Sequence, residues 1–169
     1  MKNRVTQNLV WLAIKTCDGD YLAGYSQSGL ARLNFPGARA KKVSAPADLP
    51  PAVCAWHQVT TQALQAVLAC KDTSELPPLD LSVGTDFQRA VWKAMCRIRS
   101  GHTRSYGEIA TDIGNPKAVR AVGGACGANP IPVLVPCHRV LAANQKIGGF
   151  SSGLDWKRKL LAREGVMLI

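Results

Sequence analysis

Apolar and polar positions alternate over the first third of the chain and then recur at three- and four-residue spacing, so strands are predicted first and helices after them. Leu9 to Thr16 is rich in strand formers, Asp18-Gly19-Asp20 signals a turn, and Tyr21 to Tyr25 reads as a second strand. A turn at Gln27-Ser28-Gly29 leads to a third strand, Leu30 to Phe35, closed by Pro36-Gly37. Together these predict a three-stranded antiparallel meander. Residues 36–51, with their prolines and the basic Arg39, Lys41 and Lys42, read as an irregular connection. From Val53 to Cys70, the residues Val53, Trp56, Val59, Ala63, Ala66, Val67 and Cys70 form one apolar stripe of a helix, suited to packing on a sheet. Pro77-Pro78 breaks the chain, and Leu79-Asp80-Leu81 reads as a short edge strand. His57 lies among polar neighbours and reads as a surface residue.

From Gly84 onward the pattern is helical. Thr85 is placed to cap a helix whose buried stripe is Phe87, Val91, Trp92, Met95 and Ile98, ending at Ser100-Gly101. Ser105 with Glu108 forms a capping box for a second, shorter helix to Ile113, and Gly114-Asn115-Pro116 turns the chain. A third helix is predicted from Pro116 or Lys117 to Ala128, almost all Ala and Gly apart from Arg120. Each Gly there costs helix propensity, up to ~1 kcal/mol relative to Ala. Small side chains mean close approach of another surface: either a neighbouring helix in the core or the wall of a narrow nucleic-acid groove. Helix, tight turn, helix is the spacing of a helix-turn-helix. Asn129-Pro130 ends it. Val133-Leu134-Val135 then predicts a buried extended segment, stopped by Pro136 and followed at once by Cys137 and His138. After a Gly/Ser-rich loop over 144–153, Leu154 to Arg163 reads as a basic helix with Trp156, Leu160 and Leu161 on its buried side, closed by Glu164-Gly165.

Charge sharpens this division. Residues 1–84 hold 8 basic and 6 acidic side chains, and residues 85–169 hold 13 and 5, so nearly all of the net +10 lies in the second half. A concentrated basic excess fits either a solvated face or a polyanion partner, of which nucleic acid is the better match. No apolar run approaches the ~18 residues of a membrane span, and no basic amphipathic helix with aromatic anchors is evident. Met1-Lys2-Asn3-Arg4 is charged without a following apolar stretch and cleavage site, which argues against a secretory signal. The six cysteines are scattered with no Cys-x-x-Cys pair. That predicts neither zinc nor a disulfide framework, but reduced thiols in the cytoplasm.

Cys137 is the candidate for chemistry. A cysteine is a strong nucleophile once ionised, and an imidazole is a common means of ionising it, although any single Cys also serves as a small core hydrophobe. On an extended segment Cys137 and His138 would point to opposite sides, so cooperation needs a local bend or a bridging water. Glu164 would either orient an imidazole or be a solvated terminal charge. A candidate nucleophile about eight residues from a candidate DNA-contacting helix suggests chemistry on a base drawn out of the stack, with an arginine filling the gap.

With these residues in hand, the chain resembles the 6-O-alkylguanine-DNA alkyltransferases, also called methylated-DNA–protein-cysteine methyltransferases. The resemblance covers Gly84 to Gly165. Its signature is Pro136-Cys137-His138-Arg139-Val140, with Phe87-Gln88, Ser105-Tyr106, Asn115-Pro116-Lys117, Arg120-Ala121-Val122-Gly123 and Asn129-Pro130 in the expected order. It implies an α+β protein: a ribonuclease-H-like support domain over 1–82, then a winged helix-turn-helix-like domain over 83–169 that binds DNA and accepts the alkyl group.

The activity it implies is stoichiometric repair of double-stranded DNA, with no cofactor or metal and with the protein acting as a monomer. Cys137 would take the alkyl group from O6 of a flipped guanine, His138 would take the thiol proton through a water, and Glu164 would fix the imidazole tautomer. Tyr106 would donate to N3 of the departing guanine. Arg120 would replace the extruded base, while Lys117, Ala121, Gly123, Gly124 and Ser105 would meet DNA in the minor groove. Asn129, Pro132, Val140, Phe150 and Ser151 would form the substrate pocket. In it, Asn129 would tie the recognition helix to the active-site loop, the carbonyls of Cys137 and Val140 would accept from the guanine amine, and the Ser151 amide would lie near O6. Two positions depart from many relatives: Phe150 replaces a tyrosine and Gly127 a basic residue. Cys126, on the predicted recognition helix, is either a bystander, the reading favoured here, or a second reactive thiol. The competing readings are a lesion sensor that does not repair, and a Cys-His hydrolase that would have no use for a basic helix-turn-helix.

Overall fold

The computed structural model describes residues 8–37, 48–71, 73 and 75–167. Most of the predicted irregular connection over 36–51, with Arg39, Lys41 and Lys42, lies outside the described residues, as do the first four residues. The architecture is a mixture of helices and small sheets. Strands β1 (Val10–Thr16), β2 (Gly19–Tyr25) and β3 (Leu30–Asn34) form an antiparallel sheet in the order β1-β2-β3. One face buries Leu12, Ile14, Tyr21, Ala23, Tyr25, Leu30 and Leu33.

Helix α1 (Pro51–Leu68) packs beside this sheet through Val53, Thr60, Ala63, Leu64 and Leu68. Its buried face is rotated from the predicted stripe, and Cys70 falls beyond the helix end, exposed and at φ 57. Burial follows the sheet's position and so overrides simple periodicity. His57 is not a free surface residue: it is half-buried, and its Nδ1 lies 3.0 Å from the Tyr25 hydroxyl. Leu79 makes a parallel bridge to Leu30, the short edge pairing that the pattern predicted.

The remaining helices are α2 (Asp86–Met95), α3 (Tyr106–Asp112), α4 (Val119–Gly127) and α5 (Leu154–Arg163). Both predicted N-terminal signals are present. Thr85 and Gln88 make a reciprocal capping box on α2, and Ser105 and Glu108 make one on α3. Helix α4 begins two residues later than the latest predicted start, because Asn115 to Ala118 closes a turn through an Ala118 N–H to Asn115 carbonyl bond of 3.0 Å. Lys117 therefore sits in the turn. The Trp92 indole donates to the Ala125 carbonyl at 2.8 Å and fixes α2 against α4.

A two-residue parallel pairing joins β4 (Arg104–Ser105) to β5 (Val140–Leu141). Tyr106 directly follows one strand and the Cys-His turn directly precedes the other, so this pairing brings them together. The sheet and the helical half also meet: the Leu33 N–H donates to the Pro130 carbonyl at 3.0 Å. Phe35 packs on Trp156 of α5, with ring centroids 4.7 Å apart.

Candidate active site

The approach to Cys137 is not the extended segment that its β-branched residues predict. Val133 and Leu134 form a buried tight turn, spanned by a Pro132–Val135 bridge and a Val135 N–H to Ile131 carbonyl bond of 2.9 Å. Val133 is held at φ 75, a conformation that costs a β-branched residue about 1–3 kcal/mol. Packing imposes it, since residues 131–141 are all buried. Cys137–Arg139 then forms one turn of 3₁₀ helix, which supplies the local bend that cooperation between Cys137 and His138 requires.

His138 is 0% exposed, and its Nε2 lies 3.0 Å from Oε1 of Glu164. Glu164 is no solvated terminal charge: its side chain is 3% exposed and also receives Arg139 through Nε at 3.0 Å and Nη2 at 2.8 Å. Arg139 Nη1 donates onward to the Ile98 carbonyl at 2.6 Å. Burial alone would raise the Glu164 pKa, but the hydrogen bonds from His138 and Arg139 outweigh it and hold the group at about 2. A carboxylate only accepts, so the Nε2 nitrogen carries the ring proton and Nδ1 has the free lone pair. Nδ1 is buried with no hydrogen-bond partner in the protein. Burial lowers the His138 pKa against the opposing effect of Glu164, which keeps the ring neutral and able to accept a proton at pH 7.

The Cys137 thiol is 4% exposed, and burial raises its pKa. The Asn129 side chain, the backbone N–H groups of Cys137 and His138, and the positive charge of Lys157 act in the opposite direction, each favouring the thiolate. Lys157 is 0% exposed and donates to the carbonyls of Val140 at 2.7 Å and Gly149 at 3.2 Å. Burial pushes its pKa down to about 8. It was read from the sequence only as part of a basic helix. The overlooked signal was its position three and four residues before the buried Leu160 and Leu161, on the same stripe.

Cys137 opens into a cavity of about 290 Å³ lined by Tyr106, Gly123, Cys126, Gly127, Gly149, Phe150 and Ser151. Tyr106 is half-buried there, and desolvation raises its pKa, so the phenol keeps its proton. Its hydroxyl lies so near Gly148, at φ 67, that a Cβ on that glycine would stand 2.9 Å from it. Burial likewise pushes the Cys126 thiol up to about 12. Cys126 is thus a wall of the cavity, a placement the sequence did not suggest.

Methylated-DNA–protein-cysteine methyltransferase of Methanosarcina acetivorans is 43% identical over 150 residues, spanning 87% of this chain and 92% of the relative. This chain belongs to that family. The family model for the 6-O-methylguanine DNA methyltransferase DNA binding domain matches residues 86–166. Among solved structures, Mycobacterium tuberculosis OGT in complex with DNA superposes with a TM-score of 0.76 at 40% identity, covering 91% of each chain. The O6-methylguanine-DNA methyltransferase from Pyrococcus kodakaraensis superposes with a TM-score of 0.65 at 26% identity, covering 94% of this chain and 99% of that one.

In this methyltransferase-family chain the residues singled out from the sequence fall into three places. Cys137, Tyr106, Phe150 and Ser151 share the cavity, and Gly123 of α4 forms part of its wall. His138 and Glu164 stand behind Cys137, with Asn129 beside it: Asn129 donates to the Val135 carbonyl at 2.7 Å and accepts from the Ile131 N–H at 3.0 Å. Lys117, Arg120, Ala121 and Gly124 lie exposed on the outer surface. Pro132 and Ser105 complete the placement. Pro132 lines a neighbouring cleft with Asn129, Ser151 and Trp156, and Ser151 is common to that cleft and to the cavity beside Cys137. The Ser105 hydroxyl caps α3, accepting from the Glu108 N–H at 3.1 Å, as the predicted capping box requires. Among the described residues, no group of three or more His, Cys, Asp or Glu is placed to hold a metal, and no helix is long and apolar enough to cross a membrane.

Proposed function

We propose that this protein repairs alkylated DNA by direct reversal, moving the alkyl group from O6 of a flipped guanine onto its own Cys137. The observation that carries the reading is the buried relay behind the cavity. Cys137 forms part of the cavity wall, the adjoining imidazole is neutral, and its far nitrogen is locked by Glu164. His138 Nδ1 takes the thiol proton through one water, and Glu164 stabilises the imidazolium that results. Asn129, the backbone N–H groups and Lys157 hold the thiolate until it reacts. The sulfur–carbon bond then forms as the carbon–O6 bond breaks, and the electron pair passes into the guanine ring. Tyr106 gives its phenolic proton to N3, so guanine departs neutral. The thioether product has no group placed to release it, and each molecule acts once.

The guanine amine is recognised by backbone carbonyls of the Cys-His turn. That of Val140 already accepts from Lys157, and its second lone pair remains available. Residues 1–82 act as a ribonuclease-H-like support, and residues 83–169 as a winged helix-turn-helix-like DNA-binding unit. The exposed Ala121 and Gly124 let α4 enter a narrow minor groove, where short side chains fit and base readout is poor. Arg120, exposed on the same helix, fills the space left by the extruded base. The protein acts as a monomer in the cytoplasm. DNA as partner is supported by the similarity to M. tuberculosis OGT in complex with DNA. The test is transfer of a labelled methyl group from duplex DNA carrying 6-O-methylguanine. Label on the wild-type protein and none on Cys137→Ser is expected, and label on neither refutes the reading.

A further inference from the structure

We propose that Asp18, in the turn between β1 and β2, is a positioning residue for alkyl transfer: it anchors the end of α5 and so holds Glu164 against His138. The inference rests on the repair reading above and assigns part of the machinery to the half of the chain that contributes no residue to the alkyl-acceptor cavity.

Glu164 is the first residue past α5, and helix ends fray unless something outside the helix holds them. Its carboxylate is committed inward, to His138, Arg139 and, at 3.3 Å, the Gly101 N–H. The neighbouring residue is committed in the other direction. Arg163 grips Asp18 with both terminal nitrogens, at 2.5 and 2.7 Å, in the bidentate geometry that fixes orientation as well as distance. The Arg163 carbonyl accepts from the Cys70 thiol, a second hold from the N-terminal half. One turn earlier, Lys159 reaches Asp18 at 2.7 Å, so the carboxylate closes a pincer over residues four apart on one helix face. The same face carries Trp156, packed on Phe35 and Tyr21.

Asp18 is itself fixed. Its N–H donates to Thr16 Oγ1 at 3.1 Å, and that hydroxyl donates to the Gly19 carbonyl at 2.7 Å. Its side chain is 3% exposed while Arg163 is a quarter and Lys159 nearly half exposed, so the bidentate Arg163 arm is screened by water and salt less than the Lys159 arm. Residues 163 and 164 are thus pinned from opposite sides, and releasing Asp18 removes the side-chain hold on the Arg163 side.

A contact that merely glues two halves together would affect stability and nothing else, so the test reads the imidazole. Asp18→Asn is compared with wild type, with Glu164→Gln and with the double variant, by single-turnover methyl transfer and by ¹⁵N NMR titration of His138. The ring is faced by Glu164, Arg139 and Lys157. Weaker carboxylate contact therefore makes imidazolium less stable and moves the titration to lower pH. The expected result is a rate loss of about tenfold for Asp18→Asn, the scale typical of removing a group that orients a catalytic contact. It should be accompanied by the downward titration shift, with no further loss when the change is added to Glu164→Gln. An unchanged His138 titration, or the same fold loss in the Glu164→Gln background as in wild type, overturns the proposal. Arg163→Gln, which removes the bidentate half alone, is read by the same criteria if Asp18→Asn fails to fold. If wild type transfers no methyl group, the repair reading fails, and the His138 titration still decides the role of Asp18.

Discussion

Replacing Glu164 by Gln keeps the shape of the side chain and removes only its charge. In the wild type the carboxylate takes His138 Nε2 at 3.0 Å and Arg139 at 2.8 and 3.0 Å, and Arg139 is only 8% exposed. The variant strands a buried guanidinium and turns an amide N–H toward its donors. Breaking a buried pair from one side costs about 3–5 kcal/mol; the lost desolvation cost of the carboxylate offsets part of it, leaving about 3 kcal/mol. For a chain of this length, ~1 kcal/mol shifts Tm by about 2–4 °C, so a fall of about 9 °C is expected. The pH dependence has a definite sign. The folded-state pKa of about 2 lies below the ordinary value of 4.5, so this stability is fully present above the ordinary value and is lost as pH falls through the folded one. The Tm gap between wild type and variant should hold from neutral pH to about 5 and close in stronger acid. Calorimetry at a series of pH values measures it, and single-turnover transfer should slow about 10–100-fold alongside. A gap below about 3 °C, or one that acid leaves unchanged, refutes the assigned ion pair.

Other expectations rest on separate features. Tyr106→Phe should slow transfer about 100-fold or more by removing the proton donor to N3, and an unchanged single-turnover rate rejects that role. Arg120→Ala should slow repair in duplex DNA more than reaction with the free base, as comparison of the two substrates will show. Gly148→Ala places a methyl group 2.9 Å from the Tyr106 hydroxyl at a φ of 67, so it should lower Tm and displace the phenol; full activity counts against the tight packing. Affinity for DNA should fall steeply with salt, since phosphate neutralisation releases counterions, and a flat salt titration removes the basic half as the DNA face.

The parts of this fold that were legible in the sequence are those fixed locally. Turn residues between short apolar runs gave the meander, and Thr85 alone and Ser105 with Glu108 marked two helix starts, because a cap is satisfied within four residues. The Cys137-His138 pair was visible as a motif, whereas its contact with Glu164 spans 26 residues and became specific only through resemblance to a known family. Where tertiary packing overrode local preference, the sequence misled. Val133 looks like a strand residue and is forced into a positive-φ turn. Lys157 looks solvated, yet it is buried against two carbonyls. His57 had a partner in Tyr25, 32 residues away on a strand, that no periodicity reveals.

Two thiols, Cys126 and Cys137, line the cavity, and only Cys137 is proposed as the acceptor. Peptide mass mapping after reaction with excess 6-O-methylguanine duplex tests this most directly. One methyl group per molecule, confined to the peptide containing Cys137, is the predicted result. A methyl group on the Cys126 peptide instead, or more lesions removed than protein molecules present, would contradict it.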